Sequence, residues 1–93
     1  MYTGLTDTEI ISRVLKGDQR SFSALVDRYK DYVFTLVMRF TDIREDAEEI
    51  SQDIFVKAYR CLADFRGDSK FSTWLYTIAV SYTHLTLPTI LRV

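Results

Sequence analysis

One cysteine, one histidine, one proline and three glycines are all that this 93-residue chain spends on residues that staple, ligate or break. The lone Cys61 excludes an internal disulfide framework, and one cysteine with one histidine cannot build a zinc cluster. No stretch approaches the 18 apolar residues of a membrane span. The opening, MYTGLTDTEIISRV, lacks a basic segment followed by an apolar run, so no signal peptide is expected. Twelve Lys and Arg face thirteen Asp and Glu, a net charge of −1, which removes a histone-like or polybasic binder from consideration. These absences together lead us to expect a cytoplasmic domain.

What is present is a core. Apolar residues make up 47% of the chain, too many for a disordered segment, and the length allows one small domain. Thr6-Asp7-Thr8-Glu9 reads as a capping box opening a short helix that carries Ile10, Ile11, Val14 and Leu15. Gly17 is expected to end it, and Asp18 to cap the next helix. Phe22, Val26, Tyr29, Val33, Leu36 and Phe40 then recur at helical spacing, which predicts a helix over about 19–40. Asp42 to Glu45 looks like another capping signature. The strongest stripe follows: Ile43, Ala47, Ile50, Ile54, Ala58, Cys61 and Phe65, predicting a helix over about 43–64. Arg66-Gly67-Asp68-Ser69 reads as a turn. A last helix begins near Lys70 to Ser72, with Phe71, Trp74, Leu75 and Ile78 inward. The expected fold is all-α, a compact bundle of three main helices plus a short N-terminal helix.

Charge is unevenly spread. Residues 42–53 hold six acids and one base, net −5, while residues 57–70 hold four bases and two acids, net +2. The acidic end is open to two readings, compensation of the helix dipole or a partner surface. The basic segment is interleaved with Tyr59, Phe65, Phe71, Trp74 and Tyr76. Cations beside flat rings suit single-stranded nucleic acid, whose bases stack while its phosphates pair. At helical spacing Phe65 and Phe71 are better read as core, and Trp74 is open to either.

The stretch GDQRSFSALVDRYKDYVFTLVMRF and the later DAEEISQDIFVKAYRCLADFRGDSKFSTWLYTIAV resemble region 2 of bacterial RNA polymerase sigma factors. Within the sigma-70 family they are most similar to the extracytoplasmic-function group, over about residues 8–80. The order from Asp46 to Ala79 carries the resemblance: an acidic helix ending Lys57-Ala58-Tyr59, then Phe65-Arg66-Gly67-Asp68, then Phe71 to Tyr76. The resemblance implies a transcription initiation factor that is not an enzyme and needs no cofactor or metal. It implies that Glu49, Gln52 and Asp53 grip the clamp helices of the polymerase β′ subunit. It further implies that Arg66, Gly67, Asp68, Ser69, Lys70, Ser72, Thr73 and Trp74 face the promoter −10 element and receive a base flipped from the non-template strand. An anti-sigma factor is a further implied partner.

After Val80 the resemblance fails. The family pattern calls for Asn and then a helical run bearing Asp and Arg, whereas this chain reads SYTHLTLPTILRV. Pro88 should break a helix, and Thr83, Thr86 and Thr89 are poor helix formers. The expected organisation is therefore a region 2 domain over 1–80 and a divergent, non-native or disordered tail over 81–93, such as a chimeric reading frame. His84, in that tail, is given no role. An alternative function stays open, a helical protein-interaction module that binds no DNA. An enzyme is disfavoured: Glu45, Glu49 and Asp53 could align carboxylates, but no Glu-x-x-His partner pair exists, nor any phosphate loop.

Overall fold

A computed structural model describes the backbone of residues 4–91 and the side chains of residues 4–82. Four helices follow one another: α1 (Asp7–Leu15), α2 (Phe22–Val37), α3 (Arg44–Arg60) and α4 (Phe71–Leu91). Two 3-10 turns, Gln19–Ser21 and Leu62–Asp64, precede α2 and follow α3. The fold is all-α, as the stripes require.

The capping box at α1 forms in full. The Glu9 amide donates to Thr6 Oγ1 (3.1 Å) and the Thr6 amide donates to Glu9 Oε1 (2.9 Å). The latter bond holds the exposed Glu9 carboxyl below its ordinary value. At the other end Gly17 takes φ +113°, a conformation that costs an L side chain dearly. The Asp18 amide then reaches back to the Arg13 carbonyl (3.0 Å) and the Gly17 amide to Val14 (3.0 Å). That pair of bonds is a Schellman closure.

Two expected caps are replaced. Asp18 makes no side-chain cap to α2; its carboxylate instead accepts from the Ser21 hydroxyl (2.8 Å), which satisfies a fully buried polar group. Asp42 does not cap α3. Ile43 occupies that position, and its amide donates to Thr41 Oγ1 (3.2 Å).

The core gathers one face of every helix: Ile10 and Val14 from α1, Leu25, Val33 and Val37 from α2, Ala47, Ile54 and Ala58 from α3, Leu75 and Ile78 from α4. Leu62, in the 3-10 turn, plugs the bottom. Phe40 and Ile43, the ends of the expected stripes, are 45% and 55% exposed. The cause is local: α2 stops at Val37 and α3 starts at Arg44, so both lie in the connection rather than on a helix face.

α1 is fastened to α2 by polar contacts. Asp7 accepts from the Tyr29 hydroxyl and pairs with the Arg28 guanidinium (2.7 Å).

The helix break expected at Pro88 does not occur in the described backbone. α4 keeps a helical backbone from Phe71 through Pro88 to Leu91. Local propensity is a weak prior once a packed segment supplies the helix nucleus. Tyr82, half-buried against the core, donates its hydroxyl to Asp53 Oδ2 (2.7 Å), so the packed part of the bundle runs at least to residue 82. The side chains of Thr83, His84, Thr86, Pro88 and Thr89, on which those expectations rest, lie outside the described residues.

Candidate nucleic-acid and partner interface

α3 is acidic where it begins and basic where it ends: Glu45 and Asp46 stand in its first turn, Lys57 and Arg60 in its last. Each end opposes the helix dipole with the favourable sign. The acids continue to the exposed Glu48 and Glu49 and the half-buried Asp53, further than the first turn where dipole compensation acts.

The three residues expected to meet a polymerase subunit do not share one environment. Glu49 and Gln52 are exposed, while Asp53 is half-buried and bonded to Tyr82. Gln52 lies on the rim of a groove between α2 and α3, floored by Val26, Phe34 and Phe55 and edged by Lys30, Arg44 and Glu48. The Arg44 guanidinium covers the Phe34 ring at 5.2 Å from its centroid. Sequence reading missed this groove. Phe34 falls one position off the apolar stripe of α2, and that displacement was the available signal.

The basic end of α3 runs into the segment singled out for nucleic acid. The chain leaves the 3-10 turn Leu62–Asp64 at Phe65, crosses Arg66 to Lys70 and enters α4 at Phe71. Rings hold both ends of this loop. Phe65 meets Phe71 edge-on at 5.9 Å and 87°, and both lean on Trp74 at 5.3 and 5.7 Å. Tyr29 of α2 backs Phe71 at 5.4 Å. Phe71 is core at 3% exposure, whereas Phe65 and Trp74 are half-buried and keep an open side.

The loop itself is solvent-facing: Arg66, Gly67, Asp68, Ser69 and Lys70 are all exposed. Gly67 sits at φ +79°, and a Cβ there would meet no atom within 4 Å. The glycine is required by the left-handed backbone, not by a close neighbour. Among the described residues the one ion pair is Arg28 with Asp7, so neither Arg66 nor Lys70 has a carboxylate within 4 Å. Thr73 is exposed beside the loop on the first turn of α4, and Ser72 is half-buried. The Ser72 carbonyl accepts from the Tyr32 hydroxyl (3.4 Å). Tyr32 is a site neighbour the sequence reading passed over; its position three residues after Tyr29 marks it.

The structure therefore brings Arg66, Lys70, Thr73 and the open side of Trp74 to one end of the bundle. It leaves Glu49 and Gln52 on another surface. Among the described residues, no helix is long and apolar enough to cross a membrane.

Comparison with known proteins shows the family. Residues 25–83 match the model of the Sigma-70 region 2 family. The chain is 51% identical over 77 residues to the ECF RNA polymerase sigma-E factor of Escherichia coli, covering 83% of this chain and 40% of that protein. It is 43% identical over 81 residues to the RNA polymerase sigma-H factor of Pseudomonas aeruginosa, covering 87% of this chain and 42% of that one. The chain thus spans well under half the length of these relatives. An NMR structure of an engineered region 2 of sigma-E in complex with GTAAAA superposes with a TM-score of 0.85 at 44% identity, covering 96% of this chain and 93% of that one.

Proposed function

Because this chain belongs to the sigma-70 region 2 family, we propose that it is the promoter-reading part of a transcription initiation factor. It captures the non-template strand of the −10 element as single-stranded DNA. One observation carries the reading: a short loop, stapled at its base by Phe65, Phe71 and Trp74, presents at its ends two cations that have no carboxylate within 4 Å among the described residues. That geometry suits a strand whose base leaves the stack. The ring cluster fixes the loop before the ligand arrives, so little ordering entropy is lost on binding. Arg66 and Lys70 pair with phosphates, Asp68 and Ser69 offer acceptors and a donor to a base edge, and Trp74 offers a ring face. Thr73 and Ser72 flank that face from α4. The neighbour bound to GTAAAA supports the choice of ligand.

A second surface serves the polymerase. The acidic flank of α3, through Glu49, Gln52 and Asp53, meets the clamp helices of the β′ subunit. Asp53 takes part from a position held by its Tyr82 hydrogen bond. An anti-sigma factor would act by covering one of these two surfaces and would compete with the corresponding ligand. No step in this role requires covalent chemistry or a cofactor.

The test is a titration of the chain with labelled GTAAAA as a single strand and as a duplex. Binding of the single strand with little binding of the duplex is the expected result. Arg66→Ala should lower affinity for all sequences and flatten the salt dependence by somewhat less than about 0.7 in log–log slope. Equal binding of the two forms would reject the reading.

A further inference from the structure

The cations of this molecule do not stop at the loop. Arg60 closes α3, and Cys61 with the 3-10 turn Leu62–Asp64 separates it from Phe65 and Arg66. Six residue steps span at most about 20 Å of extended chain, and a 3-10 turn shortens that. On the other side of Arg60 stands Tyr59, a residue 36% exposed. Tyr59 meets the ring of Phe22 edge-on, with centroids 5.1 Å apart at 68°. That contact sets the end of α3 beside the turn Gln19–Ser21, which carries Arg20. Arg20 and Arg60 are both exposed, and among the described residues neither has a carboxylate within 4 Å. Nearby Asp18 is engaged by the Ser21 hydroxyl. Residues 13–20 hold three bases and one acid, net +2, in addition to the +2 of residues 57–70. Opposite them, the −5 of residues 42–53 lies toward the other end of α3. The molecule is thus charged along α3, and its basic pole is larger than the loop.

We propose that Tyr59, flanked by Arg20 and Arg60, is a second single-stranded nucleic-acid subsite, continuous with the −10 loop. It takes the nucleotides that leave that loop. The two guanidiniums pair with successive phosphates, and the exposed face of Tyr59 takes a base. An aromatic ring between cations binds single strands with little regard to sequence, since every base has a stackable face. The subsite rests on the reading of the loop as a single-strand site, and it extends the footprint beyond the hexanucleotide.

Two oligonucleotides separate the two claims: GTAAAA alone, and GTAAAA lengthened by six thymidines on its 5′ or its 3′ side. The protein and two variants, Arg20→Gln with Arg60→Gln, and Tyr59→Leu, are titrated with each at several salt concentrations. Helix content by circular dichroism checks that the variants fold. All three proteins should bind the hexanucleotide alike. One lengthened strand should bind the unaltered protein at least about fivefold tighter, as one stacked base provides. Its salt slope should steepen by about 1.4, for two phosphates of a single strand. The double variant should lose the steeper slope, and Tyr59→Leu should lose affinity while keeping the slope. A hexanucleotide that binds while neither extension adds affinity, or an advantage that survives in both variants, overturns the subsite alone. Failure of the hexanucleotide to bind the unaltered protein overturns the loop and the subsite together.

Discussion

The rings of Phe65 and Phe71 meet edge-on at 5.9 Å across the two ends of the loop from Arg66 to Lys70. Residues six apart in sequence are thereby held together by aromatic packing, with no backbone ladder. Such pairs contribute about 0.5–1.5 kcal/mol each beyond area burial. Phe65 also contacts Trp74, so Phe65→Ala removes two of them. Expected is a stability loss of about 1–3 kcal/mol in a denaturant melt. The affinity for single-stranded GTAAAA should fall further in this variant than in Phe65→Leu. Equal affinity in all three proteins would show that the loop keeps its shape without the staple.

Ile54 lies at the centre of α3 with 0% exposure, in contact with the single core. Truncating such a residue removes transfer energy and leaves a cavity. Ile54→Ala should cost about 2–5 kcal/mol, a large part of the stability of a domain this small. A denaturant melt measures it. A change under about 0.5 kcal/mol would mean that the core does not rest on α3.

The Tyr29 hydroxyl joins α1 to α2 through Asp7. Burial first, then the hydrogen bond and charge of Asp7, push its pKa from 10 up to about 12. A phenol that titrates higher in the folded chain favours folding in its neutral form. Its contribution is complete below pH 10 and is lost as pH rises from 10 through about 12. Melting temperature should therefore drop more steeply over that window in the unaltered chain than in Tyr29→Phe. Parallel profiles would show that the Tyr29–Asp7 bond does not contribute to stability.

Glu49 and Gln52 are both exposed, so their replacement leaves the core untouched. Glu49→Lys with Gln52→Ala should weaken binding to a fragment carrying the β′ clamp helices and flatten its dependence on salt, while circular dichroism stays unchanged. Charges at an interface rim act mainly on association rate and salt dependence. Unchanged affinity at low salt would remove the clamp assignment from this face.

Much of this was legible in the chain, and the rest was hidden for identifiable reasons. The Thr6–Glu9 capping box needs only a local spacing, and it forms as read. The α3 stripe is buried from Ala47 to Ala58 because one side of that helix faces the core. α2 is packed by α1, α3 and α4 together, so its buried arc is wider than one stripe. Leu25 and Val37, both fully buried, therefore fell outside the pattern. The turn from Arg66 to Lys70 was visible through its Gly67 and its cations. The groove at Phe34 and Arg44 was not, because it joins two helices across a turn. The Tyr82 bond to Asp53 spans 29 residues, so no local signal announced it.

Trp74 is the only tryptophan in the chain, and it lies against the loop. Its emission therefore reports on the proposed site and on the core beneath it. Titration with single-stranded GTAAAA should change that emission saturably, the duplex should leave it nearly unaltered, and Arg66→Ala should shift the curve to higher concentration. An emission that stays constant while a labelled strand is shown to bind would place the DNA elsewhere on the bundle, and would contradict the assignment of the loop.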